Sequence, residues 1–120
     1  MIQNNFFKSS EFDSPDAPGS GELMQDVFMR RLVYARECAR VPFIINSGYR
    51  TAKHNKNVGG VTNSAHTKGY AADIHIVDDT SRFKIIRALL SAGFNRIGIY
   101  KTFVHVDCDI AKEGNVIWHE

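Results

Sequence analysis

The chain is poor in several of the features by which a sequence usually declares its class. It has 2 cysteines, Cys38 and Cys108, far apart and in no CxxC pair, which excludes a disulfide framework and a cysteine-based metal site. Both are expected to be small buried apolar residues. It has no long apolar run, and "MIQNNFFKSSEFDSPDAPGSG" at the N-terminus carries no basic region followed by one. Neither a secretory signal nor a membrane-spanning helix is written there, so synthesis in the cytoplasm and no membrane partner are expected. Charge of one sign is also scarce, since 15 Lys and Arg against 13 Asp and Glu leave +2, too little to mark a nucleic-acid binder. No internal repeat or low-complexity block is present.

What is there describes a folded domain. The 120 residues, 43% hydrophobic and 23% charged, suit one globular unit that buries about two thirds of its unfolded surface. The stretch "SPDAPGSG", residues 14–21, is linker-like. Residues 1–21 are therefore read as an N-terminal arm and 22–120 as the single domain. Phe6, Phe7 and Phe12 in the arm predict that it packs on the domain, because three exposed phenylalanines would invite association.

A helix is predicted from an N-cap at Ser20, with Glu22 in its first turn and Met24, Phe28, Leu32, Ala35 and Ala39 on its buried stripe, ended by Pro42. "PFIINSGYR" reads as a short strand and turn, and residues 51–69 as a long polar loop of the kind that carries function. "AADIHIVD" reads as a strand. A second helix starts near Thr80 or Ser81, buries Phe83, Ile86 and Leu90, and ends at Gly93. "RIGIYK", "TFVHVDCD" and "NVIWHE" are three further strands joined by short turns that favour antiparallel pairing. The expected fold class is α+β: a small antiparallel sheet with helices on one face and a polar site on the other.

Strand alternation defines that site. Side chains two apart share a face, so Ile74 and Ile76 oppose Asp73 and His75, while Val104, Val106 and Cys108 oppose Phe103, His105 and Asp107. The polar faces gather histidines and carboxylates that are either solvated or engaged with an ion. In "SAHTKGYAAD", His66 and Asp73 flank a segment with little bulk, Gly69, Ala71 and Ala72, slim enough for loop and strand to converge. His66, Asp73 and His105 would then make a three-ligand set of the catalytic zinc type. The competing reading is an exposed histidine and a turn or surface aspartate.

"SAHTKGYAAD" resembles the S-x-H-x-x-G-x-A-x-D signature of the zinc D-Ala-D-Ala carboxypeptidases and their relatives among phage endolysins, vancomycin-resistance dipeptidases and the hedgehog zinc fold. "FVHVD" resembles the strand that supplies their third ligand, "SGYR" the segment with their substrate-side arginine, and "NVGG", residues 57–60, the compact phage-type branch. The matches run from about residue 42 to 109. The resemblance implies one zinc ion per chain held by His66, Asp73 and His105, and hydrolysis of a peptide bond in peptidoglycan stem peptides, as an endolysin-like carboxypeptidase or endopeptidase acting on the cell wall after phage-type release or from a virion. It implies that Arg50 holds the substrate terminus or the tetrahedral intermediate, the alternative being a surface arginine. Tyr49, Ser64 and His75 are further substrate-side candidates, and Ser64 is equally a turn-making residue. A monomer is expected.

The sequence departs from that family in one respect. Many relatives carry an acid three residues before the third histidine, or a histidine two before it; here Thr102 and Phe103 occupy those positions, and neither transfers protons. Asp107 is the replacement candidate, either as general base or as the acceptor of a hydrogen bond that fixes a ligand imidazole. His75 has the same two options or neither. His54 and His119 are expected to face solvent, and Trp118 to lie in the core or the cleft wall. The missing acid supports one rival to a wall hydrolase, a non-catalytic zinc-stabilised wall-binding module; a cytoplasmic D-Ala-D-Ala dipeptidase is a second rival.

Overall fold

The computed structural model describes residues 1–120. Three helices, α1 (Asp26–Ala39), α2 (Ala52–Asn57) and α3 (Asp79–Ser91), accompany five strands: β1 (Ile44–Ser47), β2 (Ala71–His75), β3 (Arg96–Ile99), β4 (Phe103–Asp107) and β5 (Val116–His119). The strands form one sheet in the order β1-β2-β4-β3-β5. The architecture is α+β as expected, with one refinement. β1, β2, β4 and β3 pair antiparallel, but β5 joins β3 in parallel, which makes the sheet mixed. The link from Cys108 to Asn115 crosses the end of the sheet, so β5 enters from the same end as β3.

One apolar layer joins α1 and α3 to the sheet. Phe28, Met29 and Leu32 of α1, and Ile85, Ala88 and Leu89 of α3, meet Ile74, Ile97, Val104 and Val106. The strand residues are those that alternation assigns to the helix side. Phe7 and Phe12 from the arm belong to the same core, and Phe12 is fully buried.

Several sequence expectations need correction. α1 begins at Asp26, and Ser20 instead opens a 3-10 turn, Ser20–Leu23; Phe28, Leu32, Ala35 and Ala39 are buried as predicted and Met29 joins them, while Met24, also buried, lies ahead of the helix. The helix ends at Ala39, ahead of Pro42, with Arg40 in the left-handed region. Residues 51–69 are not a plain loop. Thr51 caps α2 by accepting from the His54 N–H, and Ala65–Lys68 forms a further 3-10 turn. On α3 the buried face is Ile85, Ala88 and Leu89, while Phe83 and Leu90 are exposed. The predicted spacing was helical, but the stripe turned by one residue. Cys38 is exposed and Cys108 only half-buried, so neither is the buried apolar residue expected.

Candidate metal centre

Four segments deliver the site. His66 sits in the 3-10 turn that Ser64 caps by accepting the His66 backbone N–H at 3.2 Å. Gly69 ends that turn at φ +79°, and a Cβ there would lie 2.4 Å from the Leu23 carbonyl oxygen. Only glycine combines that angle with that approach. Ala71 and Ala72 follow with no exposed surface, so the lack of bulk seats the turn and β2 against α1's leading segment. Asp73 lies on β2 directly opposite His105 on β4. On its other side a bulge between Ile45 and Ser47 sets Ser47 opposite Asp73, and bulges re-aim side chains in this way.

The three side chains each present a ligand atom, all within 4.8 Å of one another, a grouping that can hold a metal ion. Asp73 Oδ1 is 3.3 Å from His66 Nε2 and 2.9 Å from His105 Nδ1. His66 Nδ1 lies 2.8 Å from the Gly48 carbonyl oxygen. A carbonyl only accepts, so Nδ1 carries a proton and Nε2 is the nitrogen that faces the cluster. For His105 the nitrogens are reversed: Nε2 is 2.7 Å from Asp107 Oδ2, and Nδ1 faces the cluster.

Burial pushes the Asp73 carboxyl up, but hydrogen bonds from His105 and His66 outweigh it and hold the group well below the usual carboxylate range. For His105, burial disfavours the charged ring, while the Asp107 and Asp73 carboxylates more than compensate and raise its pKa. Asp107, penalised by burial, is likewise lowered by His105 and Arg96. Two imidazole nitrogens and a buried, ionised carboxylate are the donor set of a borderline-soft divalent cation such as zinc, so the residues present fit a metal.

A cleft of about 530 Å³ opens over the cluster, walled by Val58 and Val61 on one lip and Tyr100, Phe103 and Trp118 on the other. Arg50 reaches in from beyond β1, with Nη2 3.3 Å from Asp73 Oδ2 and Nε donating to Ser47 Oγ at 3.1 Å. Ser64 and Asp107 also line the cleft, whereas Tyr49 and His75 do not; Tyr49 packs against the core instead. His54 is half-buried rather than solvent-facing, and His119 is exposed. Trp118 is cleft wall.

The sequence reading missed four contributors. Arg96 donates from Nε to Asp107 Oδ1 at 2.8 Å and lies over the Trp118 ring at 5.2 Å. Asn55 is buried and accepts from Arg50 Nη1 while donating to the Val61 carbonyl at 2.7 Å. Tyr100 and Lys112 complete the lining. Alternation along "RIGIY" places Arg96, Gly98 and Tyr100 on one face, and Gly98 pairs with His105, so period-2 counting would have found two of the four. Asn55 and Lys112 carry no such signal.

A mixed sheet with helices on one face, and two imidazoles converging with a carboxylate in a cleft on the other, define a metallohydrolase architecture. The Peptidase M15 family model matches residues 8–109, and the chain belongs to that family of metallopeptidases. No curated protein matches it.

Proposed function

We propose that the protein is a zinc peptidase that hydrolyses a peptide bond in peptidoglycan stem peptides. The observation that carries this reading is the convergence of His66, Asp73 and His105 within 4.8 Å in the cleft of a chain of this family. His66 Nε2, the Asp73 carboxylate and His105 Nδ1 are the proposed zinc ligands. When bound, zinc supplies Lewis acidity, lowering the pKa of a water toward neutrality and polarising a carbonyl.

The chain's own groups do the rest. Gly48 and Asp107 accept from the ring nitrogen of each imidazole that points away from the cluster, which leaves His66 Nε2 and His105 Nδ1 turned toward Asp73. Of the two roles open to Asp107, we assign the hydrogen bond to His105, because both its oxygens are taken: Oδ1 accepts from Arg96 and from the Asp109 backbone N–H, and Oδ2 from His105. Arg50, already ordered by Ser47, Asn55 and Asp73, keeps further N–H bonds for the oxyanion or the terminal carboxylate of a substrate. Ser64 is assigned to shaping the turn under His66. The valine and aromatic lips exclude water from a peptide lying between them. The resemblance to the compact phage-type branch supports an endolysin-like role, reached after release or from a virion.

The test is metal analysis combined with mass spectrometry of muropeptide digests. Purified protein is expected to hold one zinc per chain and to release stem-peptide fragments. His66→Ala and His105→Ala are each expected to lose the metal and the cleavage, and undiminished cleavage in either removes this reading. The fragment masses also separate carboxypeptidase from endopeptidase, and turnover of free D-Ala-D-Ala alone marks a dipeptidase.

A further inference from the structure

Five formally charged side chains other than histidine line the cleft: Arg50, Asp73, Arg96, Asp107 and Lys112. Four of them are paired within the protein. Arg50 meets Asp73 at 3.3 Å, and Arg96 meets Asp107 at 2.8 Å. The Lys112 ammonium has no carboxylate partner and donates no hydrogen bond to the protein, although its side chain is half-buried; the carboxylate nearest in sequence on its N-terminal side, Asp109, is taken by Lys68 at 2.9 Å. The Tyr100 hydroxyl, which lines the same cleft, is also one-sided. Its oxygen accepts from Trp118 Nε1 at 2.9 Å, and its own proton has no protein acceptor. Indole N–H is a donor only, so this assignment of roles has no alternative.

The cleft lining thus holds a free O–H donor on Tyr100 and one unmatched positive charge on Lys112. The place of that charge in the fold is also definite. Arg50 follows β1, at one edge of the sheet, while Lys112 lies in the link to β5, at the other edge. Arg96 fixes that link by donating from Nη1 to the Glu113 carbonyl, so the segment that bears Lys112 is anchored beside the cleft. A lysine buries its stem and keeps its head in water, so the Lys112 ammonium is free to meet an opposite charge that enters the cleft.

We propose that Lys112 forms a carboxylate-binding subsite on the β5 flank of the cleft, selecting peptides that carry an acidic group on the side of the scissile bond remote from Arg50, with the free Tyr100 O–H a further donor to a peptide in the same cleft. This rests on the peptidase reading for the identity of the ligand as a peptide. The unpaired charge itself does not depend on it.

Matched synthetic peptides test the subsite, one with a free carboxylate on that flank and one with the corresponding carboxamide. The chain has a single tryptophan, Trp118, and it lines the cleft, so its fluorescence reports binding without any turnover. The zinc-loaded wild type is expected to bind the carboxylate peptide roughly tenfold more tightly than the carboxamide. In Lys112→Met that ratio is expected to fall to near unity, and in Lys112→Arg to be retained. Lys53→Met, which removes an exposed charge outside the cleft, should leave the ratio as it is. An unchanged ratio in Lys112→Met overturns the subsite. Discrimination without cleavage of either peptide upholds the subsite and removes the peptidase reading, and cleavage of both without discrimination does the reverse.

Discussion

His105 has a carboxylate on each ring nitrogen, Asp73 at Nδ1 and Asp107 at Nε2, and the two must play opposite parts once a cation is bound. In the proposed site, Nδ1 would give up its proton to hold the ion, while Nε2 would keep its proton for Asp107. Asp107→Asn weakens that arrangement, because the amide presents a donor as readily as an acceptor and no longer balances Arg96. We expect metal affinity to fall about 10- to 100-fold, measured by competition with a chromophoric chelator, with part of the activity returning at saturating zinc. The pH dependence has two signs. In metal-free protein the His105 pKa is raised in the folded state. Its contribution to stability is then fully present below the unfolded value of about 6.5 and is lost as pH rises through the folded one. Zinc binding requires the neutral ring, so it weakens as pH falls. Thermal melts of chelator-treated protein should therefore fall from pH 6 to pH 8, while the stabilisation added by zinc grows over the same range. Parallel curves would show that His105 is not coupled to the metal.

At the scale of elements, the cleft depends on how closely β5 lies against β3. Gly98 pairs with Trp118 on one side and with His105 on the other, and the indole spans the glycine to reach the imidazole, ring centres 5.5 Å apart. A Cβ on Gly98 would stand 2.5 Å from Trp118 Nε1, so Gly98→Ala must push the indole aside and break its bond to Tyr100. We expect a cost of about 1–3 kcal/mol in stability, read from urea unfolding, together with a changed Trp118 emission and reduced turnover. The loop Val58–Val61 is held in a comparable way. Asn55 donates to the Val61 carbonyl and accepts from Arg50, and a Cβ on Gly60 would lie 2.0 Å from Asn55 Oδ1. Asn55→Ala is expected to loosen the loop and Arg50 together, raising KM more than it lowers kcat.

Across the whole molecule, the N-terminal segment reaches further into the fold than an appended arm would. Phe12 is fully buried, its carbonyl accepts the Tyr49 N–H at 2.9 Å, and Asp16 accepts from Thr51, the cap of α2. We propose that residues 1–21 fold with the domain and support the segment that carries Gly48 and Arg50. Phe12→Ala is then expected to cost about 3–5 kcal/mol, and chemical denaturation that shows less than 1 kcal/mol would make the arm dispensable. Much of this molecule was legible beforehand. Alternation along β2 and β4 separated Ile74, Val104 and Val106 from Asp73, His105 and Asp107, because a strand's period of two needs no knowledge of its neighbours. The motif around His66 and Asp73 named the ligand candidates for the same local reason. The tertiary structure alone decided which stripe α3 buries, that β5 runs parallel to β3, that Tyr49 turns to the core, and that Asp107 is bound on both oxygens. Each of these depends on which surfaces meet across long separations in sequence, and a helix or a carboxylate takes its role from the partner that reaches it.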